Sequence, residues 1–158
     1  MMMIEAEPLT AAAFAPYGQV VQHDRNGVLN VVANAFERDE SATTPSLNLL
    51  RIEQAVDMPL LVDKLERHPH SSQTFLTLEG GRSLVIVCDS APDGTALPAT
   101  LRAFVAEANQ GVTYRRNVWH RAVSPLVAPN EYAMTMMRHP AGSDTEIYNI
   151  RQLVEVTI

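Results

Sequence analysis

The sequence has one cysteine, one lysine and no long apolar run. Cys88 alone cannot form an intramolecular disulfide or a cysteine-rich zinc site, which leaves histidines and carboxylates as metal ligands. Twelve Lys and Arg against eighteen Asp and Glu give a formal charge of -6, which argues against nucleic acid as a partner. The apolar run from Leu84 to Cys88 is far short of the roughly 20 residues that span a bilayer. With no basic region at the start either, we expect a cytoplasmic protein and no membrane partner.

Helical patterns are scarce, and runs rich in Val, Ile, Leu, Phe and Thr lie between ten prolines and seven glycines. Short apolar runs separated by turn-forming prolines and glycines predict an all-β protein. The predicted strands are 18–22, 28–36, 47–54, 60–67, 73–78, 83–88, 101–107, 111–115, 119–123, 131–138 and 147–158. Thr10 predicts the N-cap of one short helix over 9–15. Segments 37–46 and 90–100 are predicted loops.

The length of 158 residues predicts a single domain spanning 1–158. Strands of this number and spacing close into a sandwich or a small barrel, because closure removes exposed sheet edges. Such a barrel keeps a pocket inside it. We therefore expect an all-β barrel with a short N-terminal helix and an interior site.

Three of the five histidines lie in two polar segments, 66–73 and 114–120. Residues two apart on a strand face the same side, so His68 and His70 would point at one place and an inward His120 would meet them across a barrel. This arrangement predicts a metal site. The competing interpretation is two solvated loop imidazoles and a half-buried His120 bonded to a backbone carbonyl.

Five strings follow one another at defined spacing: Phe14–Gly18, Leu65–Pro69, Gln73–Phe75, Leu101–Phe104 and Gln110–His120. Together they resemble the ureidoglycolate lyase family, formerly called ureidoglycolate hydrolase, over nearly the whole chain. The resemblance implies a cupin-like β-barrel, a double-stranded β-helix or jelly roll. It also implies cleavage of (S)-ureidoglycolate to glyoxylate and urea in allantoin and purine degradation, by a carbon-nitrogen lyase that forms a homodimer.

The resemblance also implies a divalent metal, Ni2+ with Mn2+ as the alternative, and no organic cofactor. The ligands would be His68, Gln73 and His120, with His70 as a further candidate. Gln73 is separated from Gly80 by six residues and stands where the general cupin pattern has Glu. Because an amide replaces a carboxylate there, we expect the ion to be weakly held.

The small anionic substrate needs a partner for its carboxylate, a base and an acid. A guanidinium offers a two-pronged partner, and we expect Arg116 in that role, with Arg67 or Arg102 as alternatives. The expected catalytic residues are His68, Gln73, Arg116 and His120. The expected substrate-binding residues are Arg67, Tyr114, Asn117 and Trp119. Without a metal, His120 or His70 could carry the proton instead.

Three other functions stay open at this point. A ureidoglycolate hydrolase would release ammonia in place of urea. A non-catalytic cupin would bind a small organic acid, and the Gln in place of Glu favours that alternative. A metal-dependent dioxygenase is less favoured, since those cupins generally resemble the intact His, His, Glu, His set.

Overall fold

The computed structural model describes residues 1–158, which form thirteen strands, one α-helix and one 3-10 turn. The strands are β1 Met2–Glu5, β2 Glu7–Pro8, β3 Gly18–Val21, β4 Thr44–Ile52, β5 Leu60–Arg67, β6 Gln73–Glu79, β7 Ser83–Cys88, β8 Arg102–Ala106, β9 Gly111–Tyr114, β10 Trp119–His120, β11 Ser124–Pro125, β12 Asn130–Arg138 and β13 Glu146–Thr157. The helix α1 is Ala11–Phe14 and the 3-10 turn is Pro98–Thr100.

The strands form two sheets. One sheet has the order β1-β13-β5-β10-β7-β8-β2, with β11 also paired to β7, and the other has the order β3-β9-β6-β12-β4. Most neighbouring strands are antiparallel, and only the pairs β1 with β13 and β2 with β8 are parallel. The predicted all-β architecture with one short N-terminal helix is confirmed.

Alternation along β7 separates two hydrophobic clusters, because successive strand residues face opposite sides of a sheet. Val87 packs in a cluster with Phe75 and Tyr114 of the other sheet, so this cluster fills the space between the two sheets. Ile86 and Cys88 belong to a second cluster, on the other face of the larger sheet. The interior of the barrel is therefore the side that Val87 faces.

The ambiguous segment at Leu60–Arg67 is a strand, as predicted. The prediction of a strand over 28–36 is wrong, because this segment pairs with no other strand and forms bends and turns. The predicted loop at 37–46 is also too long, since β4 already begins at Thr44 through its pairing with β12. An apolar run becomes a strand only where a partner edge is available, and that is a property of the whole fold.

The short helix begins where the sequence predicts it. The Oγ1 atom of Thr10 accepts a hydrogen bond from the backbone N–H of Ala13 at 3.2 Å, which caps the first turn. Phe14 is fully buried and anchors the helix to the inter-sheet cluster. No helix in the structure is long and apolar enough to cross a membrane.

Candidate metal centre and active site

Three strands bring polar side chains to one point in the barrel interior. His120 of β10 lies directly opposite Glu66 of β5, and residues paired in this way share one face of a sheet. His68 follows β5 two residues after Glu66 and stays on that face. From the other sheet, Gln73 begins β6. Together these four side chains are the polar cluster of the interior.

The distances within the polar cluster are short. Oε1 of Gln73 lies 3.1 Å from Nε2 of His68 and 3.2 Å from Nε2 of His120. Oε1 of Glu66 lies 3.5 Å from Nε2 of His120 and 3.9 Å from Nε2 of His68. One ligand atom from each of Glu66, His68 and His120 lies within 4.8 Å of the other two, so this group could hold a metal ion.

Backbone carbonyls fix the orientation of both imidazoles. Nδ1 of His68 donates to the carbonyl oxygen of Asp144 at 3.0 Å, and Nδ1 of His120 donates to that of Val118 at 2.9 Å. A carbonyl only accepts, so each Nδ1 carries a hydrogen, and a neutral ring then presents a lone pair on Nε2. Histidines that ligate metals are held by their second nitrogen in this way.

The electrostatics of the cluster favour an ionised Glu66 carboxylate and a neutral His68 ring. The neighbouring His120 side chain lowers the pKa of Glu66 against the opposing effect of burial. Burial, followed by the neighbouring His120, lowers the pKa of His68. The ring of Tyr114 stacks on His120 at 4.1 Å between centroids, and burial raises the pKa of its hydroxyl, which stays protonated.

The chemistry of these donors fits a divalent cation. Because each Nδ1 hydrogen is bound to a carbonyl oxygen, the Nε2 atom of a neutral ring carries a lone pair, and the two Nε2 atoms then face the Gln73 oxygen and the Glu66 carboxylate without a proton between them. Facing acceptors repel, and a bound cation turns that repulsion into coordination. Two imidazole nitrogens, a carboxylate and an amide oxygen form a mixed donor set suited to first-row divalent ions.

A cavity of about 200 Å³ opens beside the cluster. Glu66 belongs both to its wall and to the cluster, which connects the two. The other polar side chains of the wall are those of Gln54, Lys64, Arg121 and Ser124, and about half of the lining is apolar. A small polar molecule in this cavity would reach the carboxylate of Glu66.

The structure does not bring Arg67 and Trp119 to the cluster. Each lies one residue from a cluster member and therefore faces the other side of its strand. The guanidinium of Arg67 stacks on the Trp119 ring at 4.7 Å and donates to Glu146 at 2.6 Å. Both side chains also donate to the carbonyl oxygen of Gly94.

A separate polar network holds His70 and Arg116. Nδ1 of His70 lies 2.7 Å from Oδ2 of Asp39, and Nη2 of Arg116 donates to the same oxygen at 3.2 Å. The strand β5 ends at Arg67, so the alternation that would align His70 with His68 does not continue. Asn117 forms a turn with a φ of 64°, and its N–H donates to the carbonyl oxygen of His68 at 3.0 Å.

Cys88 takes no part in the cluster. It lies in the hydrophobic cluster on the other face of the larger sheet and is 2% exposed. Burial raises the pKa of its thiol to about 11, so the thiol stays protonated near neutral pH. Cys88 is therefore a structural residue of the hydrophobic core.

Asp144 secures the loop that orients His68, and its removal should destabilise the protein. Its buried carboxylate accepts from Nε of Arg138 at 2.8 Å and from the N–H of His139 at 2.5 Å. We expect Asp144→Ala to lower the free energy of unfolding by about 2–4 kcal/mol, since buried charge-assisted bonds are lost. Urea denaturation checks this. Asp63→Ala, at an exposed carboxylate, is the control, and equal effects of the two variants would contradict the role of Asp144.

Comparison with known proteins shows to which family the chain belongs. The family model described as ureidoglycolate lyase matches residues 1–157. A putative ureidoglycolate lyase of Agrobacterium fabrum (strain C58) is 40% identical over 158 residues, covering 100% of this chain and 97% of that protein. The chain belongs to the ureidoglycolate lyase family.

Other members of the family are similar over most of their length. A ureidoglycolate lyase of Agrobacterium fabrum is 34% identical, covering 92% of this chain and 90% of that protein. One of Chelativorans sp. (strain BNC1) is 35% identical, covering 99% of this chain and 97% of that protein. A solved oxalate decarboxylase of Lactobacillus farciminis has a TM-score of 0.44 at 16% identity, covering 68% of this chain and 27% of that chain. That likeness is too weak to assign anything, and the strand order itself defines the fold.

Sequence reasoning about this family member missed Glu66. It lies in the Leu65–Pro69 string, two residues before His68, and the same alternation rule that pairs histidines on a strand also places it beside His68. Gln73 leaves the general cupin carboxylate position without a charge, and Glu66 supplies a carboxylate from another strand. The cluster therefore contains a carboxylate that the predicted ligand set of His68, Gln73 and His120 lacks.

Proposed function

We propose that this protein is a ureidoglycolate lyase that cleaves (S)-ureidoglycolate to glyoxylate and urea. Membership of the family supports this, and the observation that carries it is the cluster of Glu66, His68, Gln73 and His120 beside a cavity. Allantoin and purine degradation in the cytoplasm is the setting that the sequence resemblance implies. Both the pathway and the location stay predictions.

The reaction needs one proton to move. The hydroxyl proton leaves as its oxygen forms the carbonyl of glyoxylate, the carbon-nitrogen bond breaks with its electron pair on nitrogen, and that nitrogen takes up a proton to give urea. Glu66 is ionised and lies in the cavity wall, so its carboxylate can accept the hydroxyl proton and return it to the departing nitrogen. Tyr114 stacks against His120 and keeps that ring in place.

We further propose that His68, His120, Glu66 and Gln73 hold a divalent ion, Ni2+ or Mn2+. Such an ion would supply Lewis-acid chemistry that makes the substrate hydroxyl easier to deprotonate. Chelator-treated protein should bind one ion per chain in a calorimetric titration with Ni2+ or Mn2+. Absence of binding would contradict the metal proposal.

Product analysis tests the lyase directly. Purified protein is incubated with racemic ureidoglycolate, and urea, glyoxylate and ammonia are measured together against the spontaneous reaction. Equal amounts of urea and glyoxylate above the spontaneous rate support the lyase. Ammonia without urea would identify a hydrolase, and no product together with tight glyoxylate binding would identify a non-catalytic organic-acid-binding cupin.

We also propose that the protein is a homodimer and that its interface includes the outer face of the smaller sheet. Leu47 and Leu49 of the edge strand β4 are 68% and 75% exposed, and Leu78 of β6 is 55% exposed. Leu49 and Leu76 both pair in register with Ala133, so this face carries a continuous apolar row. Exposed apolar rows on an edge strand are common association surfaces.

If the protein is a homodimer, a charged substitution in the interface should halve its mass in solution. Light scattering at micromolar concentration should give a dimer for the wild type and a monomer for Leu49→Asp, because a buried charge in the interface is costly. Leu29→Asp, at an exposed residue outside the sheet, should leave the dimer intact. A monomeric wild type would contradict the dimer, and a dimeric Leu49→Asp would contradict this interface.

A further inference from the structure

The arginines that the sequence favours as partners of the substrate carboxylate are already engaged by other groups. Arg116 donates to Asp39 and twice to the carbonyl oxygen of Pro69. Arg67 is bound by Glu146 on the other face of its strand. Arg102 donates through two nitrogens to Glu7 and through a third to a backbone carbonyl. None of these three guanidinium groups lines the cavity beside the cluster.

Two other cations do line that cavity, Lys64 and Arg121. Lys64 is the only lysine of the chain and makes neither an ion pair nor a side-chain hydrogen bond. Arg121 is only loosely paired, with its Nη1 atom 3.7 Å from the exposed carboxylate of Asp63, and its Nε donates to Ser124 at 3.2 Å. Both cations can therefore take an anionic partner without breaking a strong contact.

Strand geometry explains the position of Lys64, which lies two residues before Glu66 on β5, so both side chains lie on the same side of the strand and both reach the cavity. Arg121 follows the last residue of β10, where strand alternation no longer sets the direction of the side chain, and it lies in the cavity wall. Its N–H donates to the carbonyl oxygen of Ile86 at 2.9 Å, which fixes the backbone there. The cavity thus has two cations in its wall together with one carboxylate of the polar cluster.

Resting on the proposed lyase function, we propose that Lys64 and Arg121 bind the carboxylate of ureidoglycolate in the cavity beside Glu66. The guanidinium supplies directional hydrogen bonds and the ammonium supplies a mobile positive charge. Both are needed because the substrate is an anion and the Glu66 carboxylate in the same cavity repels it. Gln54 also lines the cavity and offers an amide to the ureido group.

Steady-state kinetics with ureidoglycolate tests this assignment. Lys64→Gln and Arg121→Gln should each raise KM about tenfold to a hundredfold, the loss expected when one charge-assisted hydrogen bond is removed. Arg121→Lys should recover part of the affinity because it keeps the charge. Arg151→Gln makes the same charge change at an exposed residue of β13 and should leave KM unchanged.

Product inhibition separates binding of the carboxylate from a general effect on the fold. In Lys64→Gln and Arg121→Gln, inhibition by glyoxylate should weaken to the same extent as KM rises, whereas inhibition by urea, which has no carboxylate, should be unchanged. Equal weakening of both inhibitors, or an unchanged KM in an active enzyme, would overturn the assignment. An inactive wild type would instead refute the proposed lyase function itself, so the two failures are distinguishable.

Discussion

Replacing His120 by asparagine is expected to lower kcat/KM for ureidoglycolate at least about 100-fold, because the variant loses the Nε2 atom that faces Glu66 and Gln73. The loss of the stacked ring against Tyr114 should also lower the free energy of unfolding by about 1–2 kcal/mol. Urea release measures the first effect and denaturation the second. A folded His120→Asn variant with wild-type activity would contradict the place of His120 in the site.

His70→Asn is the matched comparison for this variant. His70 is a histidine that the sequence also offers as a ligand, but its ring contacts Asp39 and Ser41 in the separate polar network. We therefore expect His70→Asn to change stability through the lost contact with Asp39 and to leave metal affinity unchanged. If His70→Asn reduces metal affinity as strongly as His120→Asn does, the ligand set includes His70 and the cluster described above is incomplete.

The substitution Glu66→Gln should have the second large effect. It keeps the shape of the side chain but removes the only carboxylate of the cluster and the group that we assign to proton transfer. We expect metal affinity to fall about 10- to 100-fold and kcat/KM to fall at least about 100-fold. Calorimetric titration with Ni2+ or Mn2+ and the urea release assay measure the two effects separately.

Two further variants make the Glu66 result specific. Glu146→Gln makes the same charge change next to Arg67 on the outer side of the neighbouring strand, and should leave both metal affinity and turnover unchanged. Gln73→Glu restores the carboxylate of the general cupin pattern and should raise metal affinity, since a second anionic ligand is added. An unchanged metal affinity in both Glu66→Gln and Gln73→Glu would contradict a metal held by this cluster.

Strand alternation explains which site residues the sequence could predict. His68, Gln73 and His120 meet as expected because each lies at a defined position on or beside a strand that was itself predictable. The same rule places Glu66 inside and turns Arg67 to the other face. The sequence string fixes the spacing of these residues but does not say which face of the strand points into the barrel. That required the pairing of β5 with β10, in which Glu66 lies opposite His120.

Loops explain the remaining differences. His70 and Arg116 contact Asp39, which reaches them because the backbone N–H of Asp39 donates to the carbonyl oxygen of His70 at 3.0 Å. No periodic pattern in the sequence predicts a contact between Asp39 and His70, which are 31 residues apart. The run 28–36 has strand-like composition but pairs with no strand. In both cases the structure depends on hydrogen bonds between backbone groups that are far apart in the sequence. A local sequence pattern does not predict such bonds.

The catalytic role of the polar cluster is tested by the initial rate of urea formation from (S)-ureidoglycolate, measured side by side for the wild type and for the double variant Glu66→Gln/His120→Asn. We expect urea and glyoxylate in equal amounts with the wild type, and only the spontaneous rate with a folded double variant. Urea formation by the double variant at the wild-type rate would place the chemistry outside the polar cluster.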